Sequence, residues 1–190
     1  MAILKIARMG HPVLGVRAQE VDDPTTPQIR GLVGDMLETM KDADGAGLAA
    51  PQVHVPLRIV LFYVTRTRAE RDDPPEDAPS QNAEEVPLTV LINPEIEVLG
   101  EETALGWEGC LSLPDLMGQV PRHTSIRYRA LTLKGEKIEC EAQGFHARVV
   151  QHECDHLDGV LYPQRMTDLS RLVFTSELRH LAIDDEVEEI

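Results

Sequence analysis

Six apolar residues between positions 29 and 40 repeat at helical spacing. Ile29, Leu32, Val33, Met36, Leu37 and Met40 follow the i, i+3, i+4, i+7 pattern of one apolar face. Thr26 can cap this helix and Pro27 fits its first turn, so an amphipathic helix is expected over 27–41. Residues 57–64 form a mostly apolar run and read as a buried strand. Residues 88–93 and 95–99 read as strands on either side of Asn93-Pro94. Ile126, Tyr128 and Ala130 alternate with polar residues, as in an antiparallel strand covered on one face. Segments 124–133 and 137–142 then read as a hairpin around Lys134-Gly135.

Residues 145–157 carry a denser pattern. On a helix turning about 100° per residue, Phe145, Val149 and His152 fall within about 40° of His156. Glu153 sits about 60° away, and Cys154 points to the opposite side, with Val150 and Leu157 nearer to it. A helix with two apolar faces is expected to be buried all round, at the centre of a domain. Gly144 and Gly159 suit its ends.

That segment also carries chemistry. Gln151-His152-Glu153-Cys154-Asp155-His156 contains His-Glu-x-x-His. Residues four apart on a helix point the same way, so His152 and His156 can hold one metal ion. Glu153 lies beside the open side of such a site, where a carboxylate can take a proton from water.

Composition narrows the setting. The length of 190 residues suits one domain. A net charge of −15 argues against a generic nucleic-acid surface. No apolar run approaches the roughly 18 residues of a membrane span, and the N-terminus lacks the pattern of a secretory signal. Cys110, Cys140 and Cys154 are too few and too odd in number for a disulfide framework, so a reducing cytoplasm is the expected compartment. Residues 66–87 are rich in Arg, Asp, Glu and Pro and read as a solvated loop. A final helix is expected over 167–181, followed by an acidic tail over 184–190.

Two histidines need a third protein ligand if a position is to stay open for water. Cys140 lies in a strand pattern and Cys154 faces away from the imidazoles. Cys110, in Trp107-Glu108-Gly109-Cys110-Leu111-Ser112, is the best remaining candidate. The stretch Asp44-Gly45-Ala46-Gly47-Leu48-Ala49-Ala50-Pro51-Gln52 lets backbone approach a ligand closely. It lacks the Gly-Lys-Ser/Thr of a phosphate loop.

Three segments together resemble the peptide deformylases: Gly45-Ala46-Gly47-Leu48-Ala49-Ala50-Pro51-Gln52, Glu108-Gly109-Cys110-Leu111-Ser112, and Gln151-His152-Glu153-Cys154-Asp155-His156-Leu157-Asp158-Gly159. Met9-Gly10-His11-Pro12-Val13-Leu14 and Val120-Pro121-Arg122 are similar to that family too, and the resemblance runs from about residue 3 to about 166. It implies that Cys110, His152 and His156 hold one divalent metal, natively ferrous iron, with zinc, nickel or cobalt as substitutes. The implied reaction is hydrolysis of the N-formyl group from the N-terminal methionine of newly made polypeptides, releasing formate. By the same resemblance, Glu153 carries the proton, and the side-chain amide of Gln52 and the backbone N–H of Leu111 face the developing oxyanion. Gly47 and Gly109 would let loop backbone pair with the substrate, and Phe145 and Val149 would wall the methionine side chain.

The expected fold is one α+β domain. Antiparallel strands from 57–64, 88–99 and 124–142 would pack around a central buried helix at 145–157, with the 27–41 helix on another face. Residues 1–166 would form the catalytic domain and 167–190 a C-terminal segment. The acidic tail has the wrong sign for ribosomal RNA, which argues against docking on the ribosome through it. Two rivals stand beside deformylation. One is another His-Glu-x-x-His hydrolase such as a peptidase, although those usually complete the site with a downstream His or carboxylate. The other is a metal-stabilised binding module, although that would use all four ligand positions.

Overall fold

The computed structural model describes residues 2–66 and 85–180. Helix α1 spans Pro27–Asp42, with Thr26 Oγ1 accepting from Ile29 N at its start. Its face of Ile29, Val33, Met36 and Met40 is buried against Leu48, Ile59, Leu61 and Ile92. These last residues belong to the first sheet, which is antiparallel with strand order β1-β2-β3-β6-β7. The strands are β1 (Gly47–Ala49), β2 (Ile59–Val64), β3 (Val86–Val98), β6 (Ser125–Leu131) and β7 (Lys137–Gln143). A second antiparallel sheet has the order β4-β5-β8, from β4 (Thr103–Cys110), β5 (Leu113–His123) and β8 (Leu172–Phe174). The fold is mixed, with two antiparallel sheets and few helices.

Helix α2 spans Gly144–Leu157, and every residue from His146 to Leu157 is buried. One side, with Ala147, Val150, Cys154 and Leu157, enters the core formed with β2 and β6. Gly159 follows the helix at φ +75°, and a side chain there would lie 2.8 Å from the backbone of Gly15 and Val16. Only glycine lets the chain turn out at that point.

Three sequence expectations change. Segments 88–93 and 95–99 are one strand, β3, with an irregularity between Ile92 and Glu95. Asn93 adopts φ +52°, and its side-chain amide makes both hydrogen bonds to the backbone of Val21. The Asn-Pro pair therefore makes a bulge rather than a break. Strands β4 and β5 were not anticipated, because Gly106, Gly109, Pro114, Gly118 and Pro121 interrupt any alternation. Residues 169–177 form no α-helix. Two short 3-10 turns flank β8, which pairs with the edge of β5 through Met117↔Val173. The edge pairing takes the apolar Leu172-Val173-Phe174, and helical geometry begins only at 178–180. Most of the expected 66–87 loop, and the acidic tail, lie outside the described residues.

Candidate metal centre and active site

The turn between β4 and β5 is tight, with Cys110 paired to Leu113. It presents Cys110 at the end of β4 opposite the imidazoles of α2. The ligand atoms of Cys110, His152 and His156 lie within 4.8 Å of one another. Cys110 Sγ is 3.4 Å from His156 Nε2. Burial opposes ionisation of the Cys110 thiol, but His156 and His152 outweigh it and hold its pKa well below the ordinary value. A thiolate and two imidazoles suit a first-row divalent ion such as iron or zinc. The residues present therefore fit a metal.

A buried ionic scaffold orients this set. His152 Nδ1 lies 2.8 Å from Glu108 Oε2, so its N–H donates there and Nε2 is left for the cluster. Tyr162 stacks on the His152 ring, centroids 6.3 Å apart. Arg122 grips Glu108 with two bonds, at 2.8 and 2.9 Å, and reaches Asp155 at 2.6 Å. Asp155 also accepts from Arg165 at 2.8 Å. Burial raises the Glu108 pKa, but Arg122 and His152 more than offset it and keep the carboxylate ionised. Paired this way, these charges can stay in the interior.

Gln52 is also fixed. Its Oε1 accepts from Ala49 N at 2.8 Å, so Nε2 turns to Ser112 Oγ at 3.2 Å and Cys110 Sγ at 3.5 Å. Glu153 is buried, and its Oε2 has no hydrogen-bond partner among the described residues. Burial pushes its pKa up to about 7. Gly47 lies directly against this carboxylate.

A cavity of about 710 Å³ opens over the cluster. Gln52, Leu111, Gly47, Gly109, Phe145, Val149, Cys110, His152 and Glu153 all line it. His156 does not; it lies behind, 1% exposed. Sequence reasoning gave no role to Glu108, Arg122, Asp155 or Arg148, nor to Thr175 and Leu178, which line the same cavity. No local pattern marks the charged ones, because their ion pairs join segments 14 to 44 residues apart. Cys154 is buried in the core, and burial pushes its thiol pKa up.

A family model described as polypeptide deformylase matches residues 3–172. The chain belongs to that family. Among similar curated proteins, peptide deformylase 1 of Bordetella pertussis is 51% identical over 173 residues, covering 91% of this chain and 93% of the relative. Peptide deformylase 1 of Nitrosomonas europaea is 46% identical over 176 residues, covering 93% and 94%. Among solved structures, a class I type b peptide deformylase from Acinetobacter baumannii bound to Met-Ala-Ser has TM-score 0.76 and 36% identity, covering 87% of this chain and 99% of that one. The Ehrlichia chaffeensis peptide deformylase in complex with actinonin has TM-score 0.78 and 32% identity, covering 90% and 92%. This deformylase is a metal-dependent hydrolase that acts on N-formylmethionyl polypeptides. No described helix is long and apolar enough to cross a membrane.

Proposed function

We propose that this deformylase works in the cytoplasm with one ferrous ion held by Cys110, His152 and His156. Residues 1–166 form its catalytic unit and 167–190 a C-terminal segment, whose strand β8 pairs with β5. A divalent ion in a Cys-His-His set supplies Lewis acidity, acidifying water and polarising a carbonyl oxygen. Glu153 accepts the proton of the attacking water and delivers one to the leaving amine. Gln52 Nε2 and the backbone N–H of Leu111 donate to the oxyanion that forms on the formyl carbon. Loss of one such donor typically costs on the order of 10²–10³ in rate. Backbone at Gly47 and Gly109 pairs with the extended peptide, and the methionine side chain rests on Phe145 and Val149.

The observation that carries this reading is the Glu153 carboxylate, buried with an unpartnered oxygen in the same cavity as the Cys110 thiol. Support also comes from the relative that binds Met-Ala-Ser. The test is anaerobic turnover of formyl-Met-Ala-Ser and its acetyl analogue, with metal analysis of the same iron-loaded sample. Formate from the formyl peptide alone, with about one metal per chain, is the expected result. A full metal site without formate release would overturn the assignment.

A further inference from the structure

The arm that precedes α1 makes two backbone contacts with the segments that carry Gln52 and Cys110. Ala7 N donates to Gln52 O at 2.7 Å, and Met9 N donates to Ser112 O at 2.8 Å. Ser112 is fully buried and joins the reactive groups. Its N–H donates to Cys110 Sγ at 3.4 Å, and its Oγ accepts from Gln52 Nε2 at 3.2 Å. Leu111 lies between Cys110 and Ser112 in the chain, so whatever fixes Ser112 also limits how the Leu111 N–H can turn. The Met9 contact has a local origin. Residues 8–11 form a turn closed by His11 N donating to Arg8 O at 3.0 Å, with φ +99° at Gly10 and no positive φ at Met9. A positive φ at the third position alone makes this a type II turn. The N–H of the second residue takes no part in closing such a turn, so Met9 N–H can donate outward. His11, at the end of the turn, packs edge-on against His54, centroids 4.6 Å apart. His54 closes the 3-10 turn Ala50–Val53 that carries Gln52.

We propose that Met9 is a positioning residue: its backbone N–H, presented by the 8–11 turn, fixes Ser112 and through it the donors Gln52 Nε2 and Leu111 N–H. The inference rests on the reading of those two groups as oxyanion donors. Gln52 and Ser112 are 60 residues apart in sequence, and one short arm sets the spacing of their segments through Ala7 and Met9. Donors held in place need no rearrangement as charge forms, so displacing them costs the transition state rather than the bound substrate.

Met9→Pro tests it. Proline is favoured at the second position of a type II turn, so the turn is kept while the N–H is removed. The Met9 side chain is 56% exposed, so little packing is lost with it. Turnover of formyl-Met-Ala-Ser is measured per bound metal, with Met9→Ala and Gln52→Ala alongside. Met9→Pro is expected to lower kcat about tenfold with KM little changed, a part of the roughly 10²–10³ that losing a whole donor costs. Met9→Ala keeps the N–H and should match wild type. A role in folding alone would lower Tm or metal content and leave kcat per bound metal unchanged; that result would overturn the proposal. So would a loss confined to KM, or an equal loss of kcat in Met9→Ala. If Met9→Pro does not fold, Gly10→Val decides. A Cβ there would meet nothing within 4 Å, but a β-branched residue at φ +99° forces the turn to change. An ordinary kcat in that variant would equally overturn the proposal. If Gln52→Ala turns over normally, the oxyanion reading itself fails and the proposal falls with it. If Gln52→Ala is impaired and Met9→Pro is not, that reading stands without the arm.

Discussion

Gly47 and Glu153 compete for one space: a Cβ on Gly47 would lie 2.6 Å from the Glu153 carboxyl carbon. The glycine does not need an unusual backbone angle here. It is needed because the carboxylate rests against its α-carbon. Gly47→Ala should therefore push Glu153 out of line while leaving Cys110, His152 and His156 undisturbed. Turnover is expected to fall by about 10²-fold, the lower end of what positioned proton transfer contributes. Metal content should stay near the wild-type value, as measured by plasma emission on the assayed sample. A Gly47→Ala enzyme with ordinary turnover would show that the contact does not position the carboxylate.

Cys110 and Glu153 should separate metal binding from turnover. Cys110→Ser replaces a soft thiolate with a hydroxyl, so metal occupancy is expected to drop together with activity. Glu153→Ala should retain metal while turnover falls by about 10²–10⁴-fold. Full metal content in Cys110→Ser would remove that residue from the ligand set. Near-normal turnover in Glu153→Ala would remove it from the proton path.

The Glu108 carboxylate collects donors from Arg122, Arg148 and His152. Glu108→Gln keeps the shape but loses the charge, leaving two buried guanidinium groups short of a partner. Breaking such a buried network typically costs about 3–5 kcal/mol. Loss of the carboxylate behind a metal-binding imidazole typically weakens metal binding about 10–100-fold. Denaturant unfolding and metal titration read the two effects separately. Unchanged stability would mean that Asp155 and the nearby carbonyls suffice for both arginines.

The sequence made the reactive groups more legible than their supports. His152, Glu153 and His156 are visible because helical spacing is local and fixed. Cys110 could be reached because the other two cysteines fall in packing positions. The scaffold was hidden because its pairs are tertiary: Glu108 meets Arg122 across 14 residues and His152 across 44. Nothing in a local pattern distinguishes a buried, paired arginine from a solvated one. Arg148 shows this best, since its acceptors on β4 and β5 lie 28 to 44 residues away in sequence. Strands β4 and β5 escaped notice because their pairing relies on glycines and prolines that suppress a strand signal. The C-terminal segment misled in the other direction, because the edge of β5 captured residues with a helix-compatible pattern.

That capture has a functional consequence. β8 lies along β5, and the chain beyond it sets Thr175 and Leu178 on the cavity wall with Leu116 and Met117. On the proposed reading, with the methionine side chain resting on Phe145 and Val149, Thr175 and Leu178 would meet the peptide beyond its first residue. Leu178 is partly buried, and trimming it to alanine removes apolar contact worth about 1 kcal/mol, or several-fold in affinity. Leu178→Ala should raise KM for formyl-Met-Ala-Ser several-fold with little change in kcat. It should leave KM for formyl-Met amide, which has no second residue, unchanged. Parallel steady-state measurements on the two substrates check this. An equal rise for both would place Leu178 against the methionine itself, and no rise for either would mean that the C-terminal wall does not contact the peptide.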